Sequence, residues 1–256
     1  LGHAIPVQKM AYLQKLGHQI IFLVGDFTAR LGDPTDKSIV RKMLSDEEVD
    51  ANAAKFKNQI ANYIDFDSDT NPAQITFNSH WNTSMNFGDV IKLASNFTVQ
   101  QMLERDMFQK RIQEQKPIYL HEFIYPLIQG YDTVAMEVNG EFGGRDQTFN
   151  MLTGRTLAKN YKGIDKFVIT THFLLAADGK NKMSKSIGNC IFIDDSPQDK
   201  FAKVMAIPDS LMPHFYEMAT DVDDGFVEGI RGEIEKTDDP LTLKKQLADK
   251  IVELNH

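Results

Sequence analysis

A few short segments of this chain carry residue types that could do chemistry together. Lys182-Met183-Ser184-Lys185-Ser186 sets two lysines three residues apart, in a stretch flanked by Gly179 and Gly188. A lysine-bearing loop of that kind suits the gripping of polyphosphate during a reaction. Far upstream, Leu1-Gly2-His3-Ala4-Ile5-Pro6 stands directly before a helical pattern. Backbone N–H groups at the positive end of that helix would meet an imidazole there, which suits a phosphate, although Gly-His is also a common turn. Gly25 to Pro34, with Gly32-Asp33-Pro34 at its end, follows an apolar run, and Asp33 could pair with an amine. Tyr125, Gln129 and Asp132 lie at i, i+4 and i+7, so a helix would put a phenol, an amide and a carboxylate on one face. Three polar groups facing a core are costly unless a ligand or neighbours satisfy them. Gly143-Gly144-Arg145-Asp146-Gln147 opens a further helical stretch; its glycines permit close backbone approach, and Asp146 can accept from sugar hydroxyls.

These segments need elements to position them, and the hydrophobic pattern supplies candidates. Pro6 to Leu16 reads as a helix with Val7, Met10, Ala11 and Leu13 roughly on one face and Gly17 as its stop. Ile20 to Val24 is a continuous apolar run bounded by glycines, the pattern of a buried parallel strand. Asp46 to Asp65 reads as helix, and Gln74 to Trp81 alternates like a strand. Thr98 to Glu114 reads as one helix capped by Thr98, with Val99, Met102, Leu103 and Met107 facing inward. Thr133 to Val138 and Phe167 to Leu175 are strand-like, with a helix from Gln147 to Lys159 between them. Such alternation favours an α/β fold with a mostly parallel sheet.

Composition narrows the classes further. With 42% hydrophobic and 25% charged residues in 256, the chain is neither disordered nor fibrous, and it contains no apolar run long enough for a membrane span. One cysteine, Cys190, excludes an internal disulfide and points to a reducing compartment, hence a cytoplasmic location. A net charge of −8 argues against a chain-wide nucleic-acid coat. From Arg155 to Lys203, however, nine Lys/Arg face five Asp/Glu, whereas from Val204 to His256 five face twelve. That shift places a boundary near residues 195–205, with a mostly helical unit after it. His80, His121 and His172 have no metal-ligand spacing, and Trp81, the only tryptophan, reads as a packing residue.

Taken together, the motifs resemble a family. Leu1-Gly2-His3, the tail of an H-x-G-H element, paired with Lys182-Met183-Ser184-Lys185-Ser186 resembles the two signatures of class I aminoacyl-tRNA synthetases. Within that class the chain is similar to bacterial tyrosyl-tRNA synthetases, through Gly32-Asp33-Pro34, Tyr125-Pro126-x-x-Gln129-x-x-Asp132, Gly143-Gly144-x-Asp146-Gln147 and Phe149-Asn150. The resemblance implies a Rossmann-like α/β catalytic domain over residues 1–196. It also implies a dimer-forming insertion near residues 90–140 and part of an α-helical anticodon-arm domain over residues 197–256. It implies that Asp33, Tyr125 and Gln129 hold the amino group of L-tyrosine and that Asp132 accepts from its phenol. Gly144 and Asp146 would hold the ATP ribose, and Gln147 would lie near the reacting carboxylate. Gly2 and His3 would contact phosphate, and the Lys182-Met183-Ser184-Lys185 stretch would line the ATP site. Within that stretch Lys182 and Lys185 would stabilise the departing pyrophosphate. The expected partners are L-tyrosine, ATP with Mg²⁺ as a substrate complex, tRNA(Tyr) and a second copy of the chain, with no membrane and no protein-bound metal.

The chemistry fits those residue types. Attack of a carboxylate on the α-phosphate of ATP needs no nucleophilic triad, because the nucleophile is already ionised; positioning and charge stabilisation suffice. Two departures stand beside the matches. The chain starts one residue after the first histidine of H-x-G-H should stand, so this polypeptide alone is expected to have little activity. Arg145 occupies a position where a small or hydroxyl residue is common. Alternatives are a tryptophanyl-tRNA synthetase, a non-tRNA ligase or nucleotidyl transferase with the same phosphate signatures, and a non-catalytic fragment of a class I synthetase.

Overall fold

A computed structural model of the chain describes residues 1–31, 45–176, 183, 190–237 and 239–256. The elements begin with α1 (Ala4–Lys15), β1 (Ile21–Val24), α2 (Asp26–Leu31), α3 (Asp46–Ile60), β2 (Gln74–Phe77) and α4 (Ser79–Asn82). Next come α5 (Phe87–Ala94), α6 (Val99–Leu103), α7 (Asp106–Gln113), α8 (His121–Met136), β3 (Gly140–Gly144), α9 (Thr148–Lys162) and β4 (Phe167–Thr171). Last are α10 (Pro197–Met205), α11 (Met212–Ala219), α12 (Asp224–Ile234) and α13 (Pro240–Asn255). They form two compact units: Leu1–Gln19, Phe56–Pro72 and Thr171–His256 in the first, Ile20–Lys55 and Ala73–Thr170 in the second.

In the second unit β1 and β2 pair in parallel, with Ile21 opposite Gln74 and Val24 opposite Phe77. Parallel strands require a crossover, and α2 and α3 lie within it. The carboxyl ends of both strands therefore open on the same side, where α2 follows β1 and α4 follows β2. β3 and β4 make a second two-stranded sheet. α8 packs along α9, and the two backbones meet at Gly130 and Gly154. A Cβ on Gly130 would stand 3.0 Å from the Gly154 backbone nitrogen, so the close crossing depends on the missing side chains. Leu93, Met102, Leu127, Val134 and Leu157 form the apolar cluster beside this crossing.

The first unit is helical. Val204, Met212, Phe215, Tyr216, Leu247 and Ile251 form its core, with Ile5 of α1 among them. α10 starts at Pro197 behind a Ser196 cap whose hydroxyl accepts from the Asp199 backbone. α1 ends as its glycine foretells, Gly17 turning the chain at φ +93°.

Several sequence expectations need correction; the helix read from Asp46 to Asp65, for one, ends at Ile60. Thr133 to Val138 is not a strand. Through Met136 it completes α8, because Thr133 and Val134 are buried in the helix packed on α9 and tertiary contacts override β propensity. Glu137, left-handed at φ +52°, ends that helix. The strand at Gln74 stops at Phe77, since Asn78 turns into α4 and its side chain accepts the Phe27 backbone N–H. Thr98 caps α6 with a full capping box, but the helix breaks at Arg105. That residue is extended at ψ 129°, with its guanidinium over the rings of Phe108 and Phe149 at 5.4 and 4.9 Å. Val99 is 64% exposed rather than inward. Finally, the strand at Phe167 ends at Thr171.

Candidate active site

Within the second unit, Asp132 on α8 is a buried carboxylate, 3% exposed. Trp81 Nε1 donates to its Oδ1 at 2.7 Å and Asn82 Nδ2 to the same oxygen at 3.2 Å. Asn78 Nδ2 donates to Oδ2 at 3.2 Å. These donors come from the turn and short helix at the carboxyl end of β2, the place where open α/β sheets receive ligands. Asn78 also ties that turn to the end of β1. Its Oδ1 accepts from Phe27 N at 3.0 Å and its Nδ2 donates to Thr28 Oγ1 at 3.2 Å, while Asp26 Oδ1 accepts from Ser79 N at 2.9 Å. Burial pushes the Asp132 carboxyl up to about 6; the three donors pull against that, and nearby Glu141 adds to it. Just below neutral pH the group therefore passes between a carboxylate, which only accepts, and a carboxylic acid, which also donates.

A second polar cluster lies where α8 meets the start of α9. Asn150 is fully buried, and its Nδ2 donates to Gln129 Oε1 and to Gln147 Oε1, both at 2.9 Å. Gln147 ends a 3₁₀ turn, Arg145–Gln147, that links β3 to α9. Tyr125, half-buried, lies one turn before Gln129 on α8, so the expected i, i+4, i+7 series is carried by one helix. Gly144 closes β3, and Arg145 and Asp146 are exposed at the turn. Gly143 lies against the Met151 side chain, its missing Cβ occupied by packing within the protein.

Beneath the helix crossing, Lys166 is buried and its Nζ reaches Thr133 Oγ1 at 2.7 Å, Met151 O at 3.2 Å and the carboxylate of Glu141. Burial lowers its pKa and the Glu141 charge opposes that shift. This lysine belongs to the scaffold that holds α8 in place.

Gly2, His3 and Met183 belong to the first unit. Gly2 and His3 are exposed immediately before α1, whose first turn carries no acidic residue. Met183 donates its backbone N–H to Leu174 O at 2.9 Å, and its sulfur accepts from Ile191 N at 3.3 Å. Asp33, Lys182, Ser184 and Lys185 lie outside the described residues. Among the described residues, no group of three His, Cys, Asp or Glu side chains could hold a metal ion.

Sequence reasoning missed Asn78, Trp81 and Asn82 as partners of Asp132 and gave Asn150 no role. The signal was present: Asn78, Trp81 and Asn82 are spaced i, i+3, i+4, one face of a helix. Reading the stretch as a strand distributed them over two faces and left Trp81 as packing.

The model of the family described as "tRNA synthetases class I (W and Y)" matches residues 1–256. The chain belongs to this family. Among curated relatives of the chain, "Tyrosine--tRNA ligase 2" of Clostridium acetobutylicum is 45% identical over 257 residues, covering 100% of the chain and 63% of the relative. "Tyrosine--tRNA ligase" of Carboxydothermus hydrogenoformans is 49% identical over 224 residues, 87% of the chain and 53% of the relative. The chain thus spans 63% or less of the length of these relatives. In fold, the chain resembles a C-terminally truncated mitochondrial tyrosyl-tRNA synthetase of Aspergillus nidulans. That match has a TM-score of 0.76 at 23% identity and covers 100% of the chain and 77% of the other. It also resembles a tyrosyl-tRNA synthetase of Archaeoglobus fulgidus complexed with L-tyrosine, with a TM-score of 0.73, 23% identity, and 99% and 83% coverage. The expected resemblance to tyrosyl-tRNA synthetases and the Rossmann-like fold are borne out by these matches.

Proposed function

We propose that the protein carrying this chain activates L-tyrosine with ATP to tyrosyl-adenylate and transfers the tyrosyl group to tRNA(Tyr). The observation that carries this reading is the acceptor balance at Asp132. Oδ1 receives two donors and Oδ2 one, while a carboxylate offers about four acceptor positions. One position on Oδ2 is left for a hydroxyl, and three rigid donors keep it aimed. A phenol fills that position; a phenyl ring would leave a buried anion short of a partner, which costs free energy. An indole N–H has a different reach and direction, so an acceptor held this way favours tyrosine over tryptophan.

In this reading Asp33, Tyr125 and Gln129 hold the substrate ammonium, and Gln147 lies at the carboxylate that attacks the α-phosphate. Gly144 and Asp146 take the ribose. Gly2 and His3, with Lys182, Met183, Ser184 and Lys185, form the ATP side. ATP enters as its Mg²⁺ complex, and Lys182 and Lys185 neutralise charge on the departing pyrophosphate. The attacking carboxylate is already ionised, so the protein positions and stabilises rather than abstracting a proton. Residues 1–196 form the catalytic part, and the helices from Pro197 onward belong to the anticodon-arm part. Exposed Phe87 and Leu120, at 81% and 82%, support the region near 90–140 as a homodimer surface. A cytoplasmic location accords with a single cysteine; among the described residues no helix is long and apolar enough to cross a membrane.

Asp132→Ala tests the reading through ATP–pyrophosphate exchange in the full-length gene product. The tyrosine dependence should weaken by tenfold or more, roughly the loss of one hydrogen bond to a charged group, with the KM for ATP unchanged. An unchanged tyrosine dependence would refute it.

A further inference from the structure

Asn150 has an unusual hydrogen-bond balance. Its side chain is fully buried, both Nδ2 hydrogens are used, and its Oδ1 has no partner among the described residues. Leaving a buried amide oxygen unpaired is costly, and turning the amide over would not relieve it. That turn would bring Oδ1 against two glutamine oxygens, unless Gln129 and Gln147 both reversed as well. The three amides therefore share two collective arrangements, and neither glutamine can reverse alone.

We infer that Asn150 is a positioning residue that sets the polarity of both glutamines at once, and so couples the ammonium end of the amino-acid substrate to its carboxylate end. The inference rests on the tyrosine-activating reading above and deepens it. In the observed arrangement Gln147 turns its Oε1 toward Asn150, so its N–H edge, whose polarity suits a substrate carboxylate, faces away from Asn150. Gln129 Oε1 accepts from Asn150 with one lone pair and retains the other for an ammonium. The reversed arrangement would set an oxygen against the reacting carboxylate and an N–H against the ammonium. Asn150 thus disfavours the unproductive state without touching the substrate.

The test uses pyrophosphate exchange by the full-length gene product with two variants. Asn150→Leu keeps the branching at Cγ and removes both hydrogen bonds; Asn150→Ser keeps one donor. For Asn150→Leu, the tyrosine KM should rise and kcat should fall, each by roughly three- to tenfold, as expected for one net hydrogen bond lost at each end. Asn150→Ser should fall between Leu and wild type. Two readouts separate this role from general damage. The KM for ATP should stay within about twofold, and the preference for tyrosine over phenylalanine should be kept, because the donors to Asp132 are untouched. In a Gln147→Ala background, Asn150→Leu should cause no further loss in kcat. A tyrosine KM and kcat within about twofold of wild type in both variants would overturn the inference while leaving the tyrosine reading intact. ATP KM and amino-acid preference shifting in parallel with tyrosine KM would also overturn it. Wild-type enzyme that exchanges with no dependence on tyrosine would instead overturn the underlying reading.

Discussion

Trp81→Phe removes one donor from Asp132 while keeping an aromatic ring at the position. The lost bond is short, 2.7 Å, and its acceptor is a buried carboxylate. Hydrogen bonds to charged groups contribute about 1.5–3 kcal/mol, and one pKa unit corresponds to about 1.36 kcal/mol. The Asp132 carboxyl, already raised to about 6 by burial, should therefore rise by roughly one to two further units. A carboxyl whose folded pKa exceeds its unfolded value binds more protons in the native state between the two. Stability then falls as pH rises through that window and levels off above the folded pKa. In the wild type that window closes near pH 6; in the variant it extends to about pH 7–8. The destabilisation caused by Trp81→Phe should thus be least at pH 5, where only lost packing contributes, and grow by about 1.4 kcal/mol or more by pH 8. Urea denaturation followed by far-UV circular dichroism measures this at each pH, the variant having lost its only tryptophan as a fluorescence probe. Contributions from groups common to both proteins cancel in the difference. A difference constant to within about 0.3 kcal/mol from pH 5 to 8 would show that Trp81 does not hold the ionised Asp132.

Two further perturbations probe the scaffold beneath the site. Glu141→Ala should destabilise by about 3 kcal/mol, because it leaves the fully buried ammonium of Lys166 without its counter-charge. Lys166→Met should cost clearly less, since Glu141 is partly exposed and water can take over; equal losses in denaturant titrations would contradict this reasoning. Gly130→Val should lower stability by about 1–3 kcal/mol, with the Cβ at 3.0 Å from the Gly154 nitrogen forcing α8 and α9 apart. A melting temperature equal to wild type would show that the crossing can relax.

Much of this architecture was legible in the residue pattern, for reasons that can be named. The Ile20 to Val24 run reads as a buried parallel strand because nothing polar interrupts it, and the glycine after α1 marks its end. Thr98 announces its cap because the capping box is purely local. What escaped was decided by distant contacts. Arg105 breaks a helix whose sequence would have continued, because its guanidinium lies over aromatic rings, one of them contributed by α9. Thr133 and Val134 read as strand until the Gly130–Gly154 crossing buries them in α8. The i, i+4, i+7 spacing of Tyr125, Gln129 and Asp132 was visible, whereas the donors that hold Asp132 come from residues 50 to 54 positions earlier in the chain. Likewise, Asn150 stood in a recognised motif, yet its bond to Gln129 becomes evident only once α8 and α9 are side by side.

ATP–pyrophosphate exchange by the wild-type, full-length gene product, supplied in turn with tyrosine, phenylalanine and tryptophan, reads the proposed role of Asp132 most directly. Exchange should depend on tyrosine and be weaker by orders of magnitude with either of the other two. Exchange driven by tryptophan, or as readily by phenylalanine, would contradict the assignment of Asp132 as the acceptor of a substrate phenol.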